Sequence, residues 1–196
     1  MIVSDVINYA KYGELKSLAI KDDEEAILSY INLAMLALHG RFKLLYKEQI
    51  LDLQDNIALY DLNSDCSQVV SVYNEKAEEY LINDDNSVTS VFTPSYNTLQ
   101  IPNPTTGSQI SVIYIANPTR LSLVTDEVLL PEQLLEPLLH YIGYRAHGAL
   151  DGAINGENNT HLMRYESSVK RIKSLGLIRE DVVPNMSRFH EGINDE

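Results

Sequence analysis

LPEQLLEPLLHYIGYRAHGAL at residues 130–150 and ENNTHLMRYESSVKRIKSL at residues 157–175 decide the fold. In the first stretch Leu134, Leu135, Leu138, Leu139, Ile142 and Ala146 recur at the spacing that lines one face of an α-helix. Pro131 falls in the first turn, where its missing N–H is no loss. Pro137 lies one turn further in and predicts a distortion or restart of that helix. Asn155-Gly156 then breaks the chain. In the second stretch Leu162, Tyr165, Val169 and Ile172 form the inward stripe, and Gly176 with Leu177 is placed to end the helix as a glycine cap.

The other end of the chain reads the same way. Over residues 2–13 Val3, Val6, Ile7 and Ala10 share a face, with Ser4 or Asp5 available as the cap. After a loop of about eight residues, Asp22, Asp23, Glu24 and Glu25 put negative charge at a helix start, where the helix dipole favours it. Ala26, Ile27, Tyr30, Ile31, Ala34, Met35 and Leu38 then form one apolar stripe, and Gly40 predicts the stop.

Between these ends the period changes from helical to alternating. Leu51 and Leu53, Ile57 and Leu59, then residues 69–73, 80–82, 88–92, 98–101 and 109–116 read as short strands separated by turn clusters such as Asn83-Asp84-Asp85-Asn86. Residues 110–115, ISVIYI, are apolar on both faces and predict a central strand. Six or seven such strands imply an antiparallel meander or a small sandwich. The fold class is therefore α+β: a helical bundle from N- and C-terminal helices (1–47 and 118–176), an inserted antiparallel β subdomain (48–117) and an extended C-terminal tail (177–196). The tail carries Pro184, Gly192 and scattered acids, with little periodicity.

Composition narrows the function. The formal net charge is −13 over 196 residues, and 44% of residues are hydrophobic. Such a protein has a core but does not grip nucleic acid through its bulk charge, because phosphate neutralisation requires Lys and Arg. It can surround DNA without holding it, since a negative wall repels a negative strand. One cysteine, Cys66, excludes an internal disulfide and fits a reducing compartment. No window approaches the ~18 apolar residues of a membrane span, and the N-terminus lacks a signal-peptide pattern. Synthesis in a cytoplasm is the expectation. Tyr outnumbers Phe by 12 to 3, with no Trp. Tyr suits surfaces that a partner buries, although tyrosines in strands also pair across a sheet.

Charge is uneven. Arg164, Lys170, Arg171, Lys173 and Arg179 make the last helix basic, whereas the first 25 residues and residues 126–136 are acidic. This pattern permits head-to-tail contact between identical subunits. It also fits a simple complement to the helix C-terminus.

Catalytic signals are weak. His140, Tyr144, His147 and Asp151 lie along one face of the third long helix. At 1.5 Å per residue His140 and His147 are about 10 Å apart, too far to share a metal. His147 with Asp151 could share one, with His161 as a possible third ligand. There is no HExxH, no phosphate-binding glycine loop and no GxSxG, and no base is assigned to Cys66 or to any serine. Asp84-Asp85 lacks the downstream glutamate of a calcium loop. The expectation is a non-enzyme with no cofactor and no metal.

The order of elements, together with Leu130-Pro131, Leu134-Leu135, Leu138-Leu139-His140-Tyr141, Tyr144-Arg145-Ala146 and Tyr165-Glu166, resembles the head-to-tail adaptor (connector) proteins of tailed bacteriophages. The likeness is to the tail tubular protein A or gatekeeper type of short-tailed phages. The opening Ile2-Val3-Ser4-Asp5-Val6-Ile7 and the helix over residues 23–38 also resemble the start of such proteins. The resemblance implies a structural virion protein at the head–tail junction, made in the host cytoplasm. It implies a ring of identical subunits, commonly twelve, joining the portal protein to the tail or nozzle. DNA would pass through the lumen during packaging and ejection without sequence-specific binding, and no membrane is involved. It further implies that the C-terminal segment anchors in the portal, with Pro184, Met186, Phe189 and Ile193 as candidate anchors. Arg164, Lys170, Arg171 and Lys173 are the candidate inter-subunit residues. Another phage tail-completion protein, a bacterial protein-binding module, and an enzyme using His147 and Asp151 are the competing readings.

Overall fold

The computed structural model describes the backbone of residues 1–151, 156–178 and 187–189, and their side chains except at 150, 151 and 156–159. It mixes helix and sheet in two compact units. One comprises Met1–Phe42 with Pro118–Glu180. The other comprises Lys43–Asn117 with the described residues 187–189. Among the described residues no helix is long and apolar enough to cross a membrane.

In the helical unit α1 spans Val3–Tyr12 and buries Val3, Val6, Ile7 and Ala10. Its cap differs from expectation. Ile2 is the N-cap, and the Asp5 carboxylate reaches back to accept the Ile2 N–H at 3.1 Å. Two further first-turn donors are met by distant chain: Val3 N–H donates to the Asp126 carbonyl and Ser4 N–H to that of Val124, while Asp5 N–H donates to the Ile2 carbonyl. A helix start needs partners for its free N–H groups but does not require them to be local. The loop after α1 contains a 3-10 turn, Ala19–Asp22.

Helix α2 spans Glu24–Phe42. Asp23 caps it, its side chain accepting the Ala26 N–H at 3.0 Å. Gly40 does not end the helix. It sits on an exposed side where an added Cβ would meet nothing, and the helix continues to Phe42, which is fully buried. The left-handed residue that ends it is Lys43, at φ 49°. Burial of Phe42 outweighs the weak stop signal of a mid-helix glycine, worth about 1 kcal/mol.

The restart predicted at Pro137 occurs. A 3-10 turn, Glu132–Leu134, leads into α3, Leu135–Asp151, with Pro137 in its first turn. Helix α4 spans Gly156–Ser174. It ends at Gly176, φ 60°, with Gly176 N–H donating to the Lys173 carbonyl and Leu177 N–H to that of Ile172. This is the two-bond glycine cap the sequence predicts. Helix α3 packs on α4, α2 and α1, burying Leu138, Ile142 and Ala146 against Tyr165, Val169 and Ile172.

The β unit holds two three-stranded antiparallel sheets. Strands β1 (Tyr46–Asp52), β2 (Leu59–Asp61), β3 (Cys66–Asn74), β4 (Phe92–Ser95), β5 (Thr98–Gln100) and β6 (Gln109–Ala116) pair in the orders β1-β6-β3 and β2-β5-β4. Non-sequential neighbours exclude a meander. Both sheets feed one core, in which Val72, Ile110, Val112 and Tyr114 meet Val91, Leu99 and Ile101. β6 is central and buried along almost its whole length, as its two-faced apolar run predicts. Where strands are expected at 80–82 and 88–92, Glu79 bridges to Tyr73 and Ile82 to Val91 as isolated pairs, and only Phe92 enters a strand, β4.

Candidate functional site

Three side chains from three separate elements converge in the helical unit. Glu14 follows Gly13 at the end of α1, His140 lies on α3 and His161 on α4. Glu14 Oε1 is 3.1 Å from His140 Nδ1, and Glu14 Oε2 is 2.9 Å from His161 Nδ1. One ligand atom from each lies within 4.8 Å of the others. His161 is 8% exposed and Glu14 and His140 are half-buried.

Short distances here do not make good hydrogen bonds. Neither Nδ1 is aligned to donate to the carboxylate, and both are buried without a hydrogen-bond partner. The surrounding groups fix the rings. His147 stacks on His161 with centroids 4.5 Å apart. Glu136, one turn before His140, places a carboxylate oxygen 3.7 Å from His140 Nε2. Gly143 makes the approach possible, because a Cβ there would lie 2.8 Å from His161 Nδ1 and 3.2 Å from Glu14 Cβ.

The electrostatics follow from this packing. The contact with His140 holds the Glu14 carboxyl below its ordinary range, and the charges of His140, His161 and Arg164 act the same way against the effect of burial. Burial lowers the His161 imidazole, opposed by Glu14 and aided by His147, Arg164 and His140. The contact favours the ionised carboxylate of Glu14, and burial favours the neutral imidazole of His161.

The sequence spacing offers His147 and Asp151 with His161 as a possible third ligand, whereas the structure joins His161 to His140 and stacks His147 on it. The Asp151 side chain lies outside the described residues. Glu14 carried no signal, since it sits in a loop with no period to mark its direction. His140 and His147 do not share a site along α3, but α4 brings His161 to both.

The basic residues of α4 divide into two pairs. Arg171 pairs with Glu136. Lys173 Nζ donates to the Arg41 carbonyl at 3.2 Å and lies 5.2 Å from the centroid of the Phe42 ring. Arg164 and Lys170 are exposed. Nearby, Arg41 pairs with Glu166 at 2.8 Å, and Tyr141 meets Tyr144 and Tyr165 edge to face. Tyr141, Tyr144 and Tyr165 therefore tie α3 to itself and to α4. On the opposite charge side, Asp22, Asp23, Glu24 and Glu25 are all exposed.

Of the four candidate tail anchors, Pro184, Met186 and Ile193 lie outside the described residues. Phe189 is half-buried. Its neighbour Arg188 donates its backbone N–H to Glu48 Oε1 at 2.9 Å, and Ser111 Oγ donates to the same oxygen at 2.6 Å. Residues 188–189 are a helical turn seated on β1 rather than extended chain. Cys66 is fully buried, and burial, helped by the Asp65 charge, pushes its thiol up to about 11. A thiol this far from ionisation is not an activated nucleophile. Three surface clefts, two in the helical unit and one in the β unit, are lined by none of Glu14, His140 and His161.

Comparison with protein families matches residues 2–188 to the family described as SU10 adaptor protein. No curated protein matches the chain.

Proposed function

The chain belongs to the SU10 adaptor protein family, a phage head–tail adaptor family, and on that premise we propose that it forms the ring joining the portal to the tail at the head–tail junction. It is a phage adaptor and a component of the virion. The observation that carries the proposal is the match over nearly the whole chain, which includes both helical ends and the β unit. In this reading identical subunits, twelve in the commonest arrangement, surround a lumen through which DNA passes in packaging and ejection.

Three physical features support it. The net charge of −13 suits a conduit that must not bind its cargo. Arg164 and Lys170 project exposed cations on α4, and Asp22 to Glu25 an exposed acidic run at the start of α2. Such opposed patches on one subunit favour a head-to-tail ring contact. Tyr9, Tyr12, Leu36, Leu123, Leu129 and Met163 are exposed apolar side chains on the same unit, the kind that assembly buries. Arg171 and Lys173 are proposed beside Arg164 and Lys170, each exposed while also making a contact within the subunit. The C-terminal segment containing Pro184, Met186, Phe189 and Ile193 is the proposed portal anchor.

The test is to mix purified adaptor and portal and to measure mass by light scattering and symmetry by electron microscopy. A ring that forms on the portal is the expected result. A protein that stays unassociated with portal at all ratios overturns the proposal. Arg164→Glu with Lys170→Glu should weaken ring formation, and truncation after Gly176 should abolish portal binding if the segment anchors there.

A further inference from the structure

We propose that Glu14, His140 and His161 bind one divalent transition-metal ion, with zinc as the best fit, and that this ion staples the loop after α1 to helices α3 and α4. Zinc takes imidazole nitrogen and carboxylate oxygen at about 2.0–2.2 Å in tetrahedral geometry. Two donors on one tetrahedral ion are then about 3.3 Å apart. The carboxylate oxygens already lie 3.1 and 2.9 Å from the two Nδ1 atoms, so the carboxylate stands at ligand–ligand distance from each imidazole.

Three further observations separate this cluster from an ordinary buried histidine pair. First, both Nδ1 atoms are buried and face the same carboxylate without a well-aligned hydrogen bond, and a metal ion would engage both at once. Second, a carboxylate and an aromatic ring flank the outer sides of the two histidines. The Glu136 carboxylate stands 3.7 Å from the far nitrogen of His140, and His147 stacks on the His161 ring. Such contacts orient a ligand and set which nitrogen faces the metal. Third, the pocket depends on a missing side chain, since a Cβ on Gly143 would occupy the position next to His161 Nδ1.

Arg164 opposes binding, because its positive charge is felt by both Glu14 and His161. A site with one carboxylate, two imidazoles and an adjacent cation suits moderate affinity. Glu14 keeps part of its side chain in solvent, which leaves room for water as a fourth ligand.

The experiment uses the full chain, freed of metal with a chelator and titrated with zinc chloride by calorimetry and with cobalt(II) by visible absorption. One ion per chain, a tetrahedral cobalt spectrum and a Tm raised by several degrees are expected. Glu14→Gln, His140→Asn and His161→Asn should each weaken binding by at least about tenfold, whereas Arg164→Gln should tighten it. Wild-type protein that takes up no zinc at micromolar concentration overturns the proposal. So does uptake left unchanged by the His140→Asn, His161→Asn double variant. Should those variants fail to fold, the imidazole NMR signals of His140 and His161 in the wild type decide the matter. They must shift on zinc addition, and signals that stay fixed overturn the proposal.

Discussion

The helical unit and the β unit bury charged groups differently. In the β unit the core is mainly apolar, with Ser71 Oγ buried without a hydrogen-bond partner, and the charged groups gather at its margin in a satisfied chain. Asn63 Nδ2 donates to Tyr114 Oη, which donates to Asp65, which also pairs with Lys47. In the helical unit a carboxylate and two imidazoles occupy the junction of three elements, with ring nitrogens left unsatisfied. A sheet meets its backbone needs through register and can fill its interior with alternating side chains. Helices meet theirs internally and leave the joints between them to side chains. Four substitutions or conditions test the difference.

The largest effect is expected from the β core. Ile110→Ala removes a fully buried side chain and should cost about 2–5 kcal/mol, read as a lower urea midpoint in the β unit. Gly143→Ala probes the helical joint. Alanine is the better helix former by about 1 kcal/mol, but its Cβ would collide with His161 and Glu14. The net outcome should be a loss of about 1–2 kcal/mol. A stabilised variant would show that the cluster is loose and would weaken the contrast.

Acid should divide the units. His39 and His161 both favour the neutral form when folded, through burial first. Below the ordinary value of 6.5 the unfolded chain then binds more protons than the folded one, so stability falls as pH drops. Glu14, lowered from 4.5, adds a contribution that is complete above 4.5 and is lost as pH falls through its lower folded value. The described β unit has no histidine. Hydrogen-exchange protection, corrected for the intrinsic pH dependence of amide exchange, should therefore fall in α3 and α4 between pH 6.5 and about 5 and stay level in β6. Equal responses would break the comparison. The smallest effect is at the surface. Arg41→Gln removes an exposed pair with Glu166 and should cost about 0.2–1 kcal/mol in thermal melts.

Much of the fold was legible because its signals are local. The stripes of α1 to α4, the restart at Pro137, the cap at Gly176 and the two-faced run of β6 depend on spacing within a dozen residues. Gly40 misled for the same reason. A local stop signal lost to burial of Phe42, which only the packed chain reveals. The split of the strands into two sheets was open as well, because alternation specifies which residues face a core but not which strands are neighbours.

By itself, then, the sequence determined element type, the α+β class, the acidic charge and a resemblance carried by both helical ends. Tertiary structure decided everything that depends on distant chain meeting. The carbonyls of Val124 and Asp126 complete the start of α1. Asn32 clamps the backbone of Leu121 through two hydrogen bonds across 89 residues. Glu14 meets His140 and His161 in a space that Gly143 leaves clear. Periodicity records which face of an element is apolar, and it carries no information about which polar groups the folded chain will bring together.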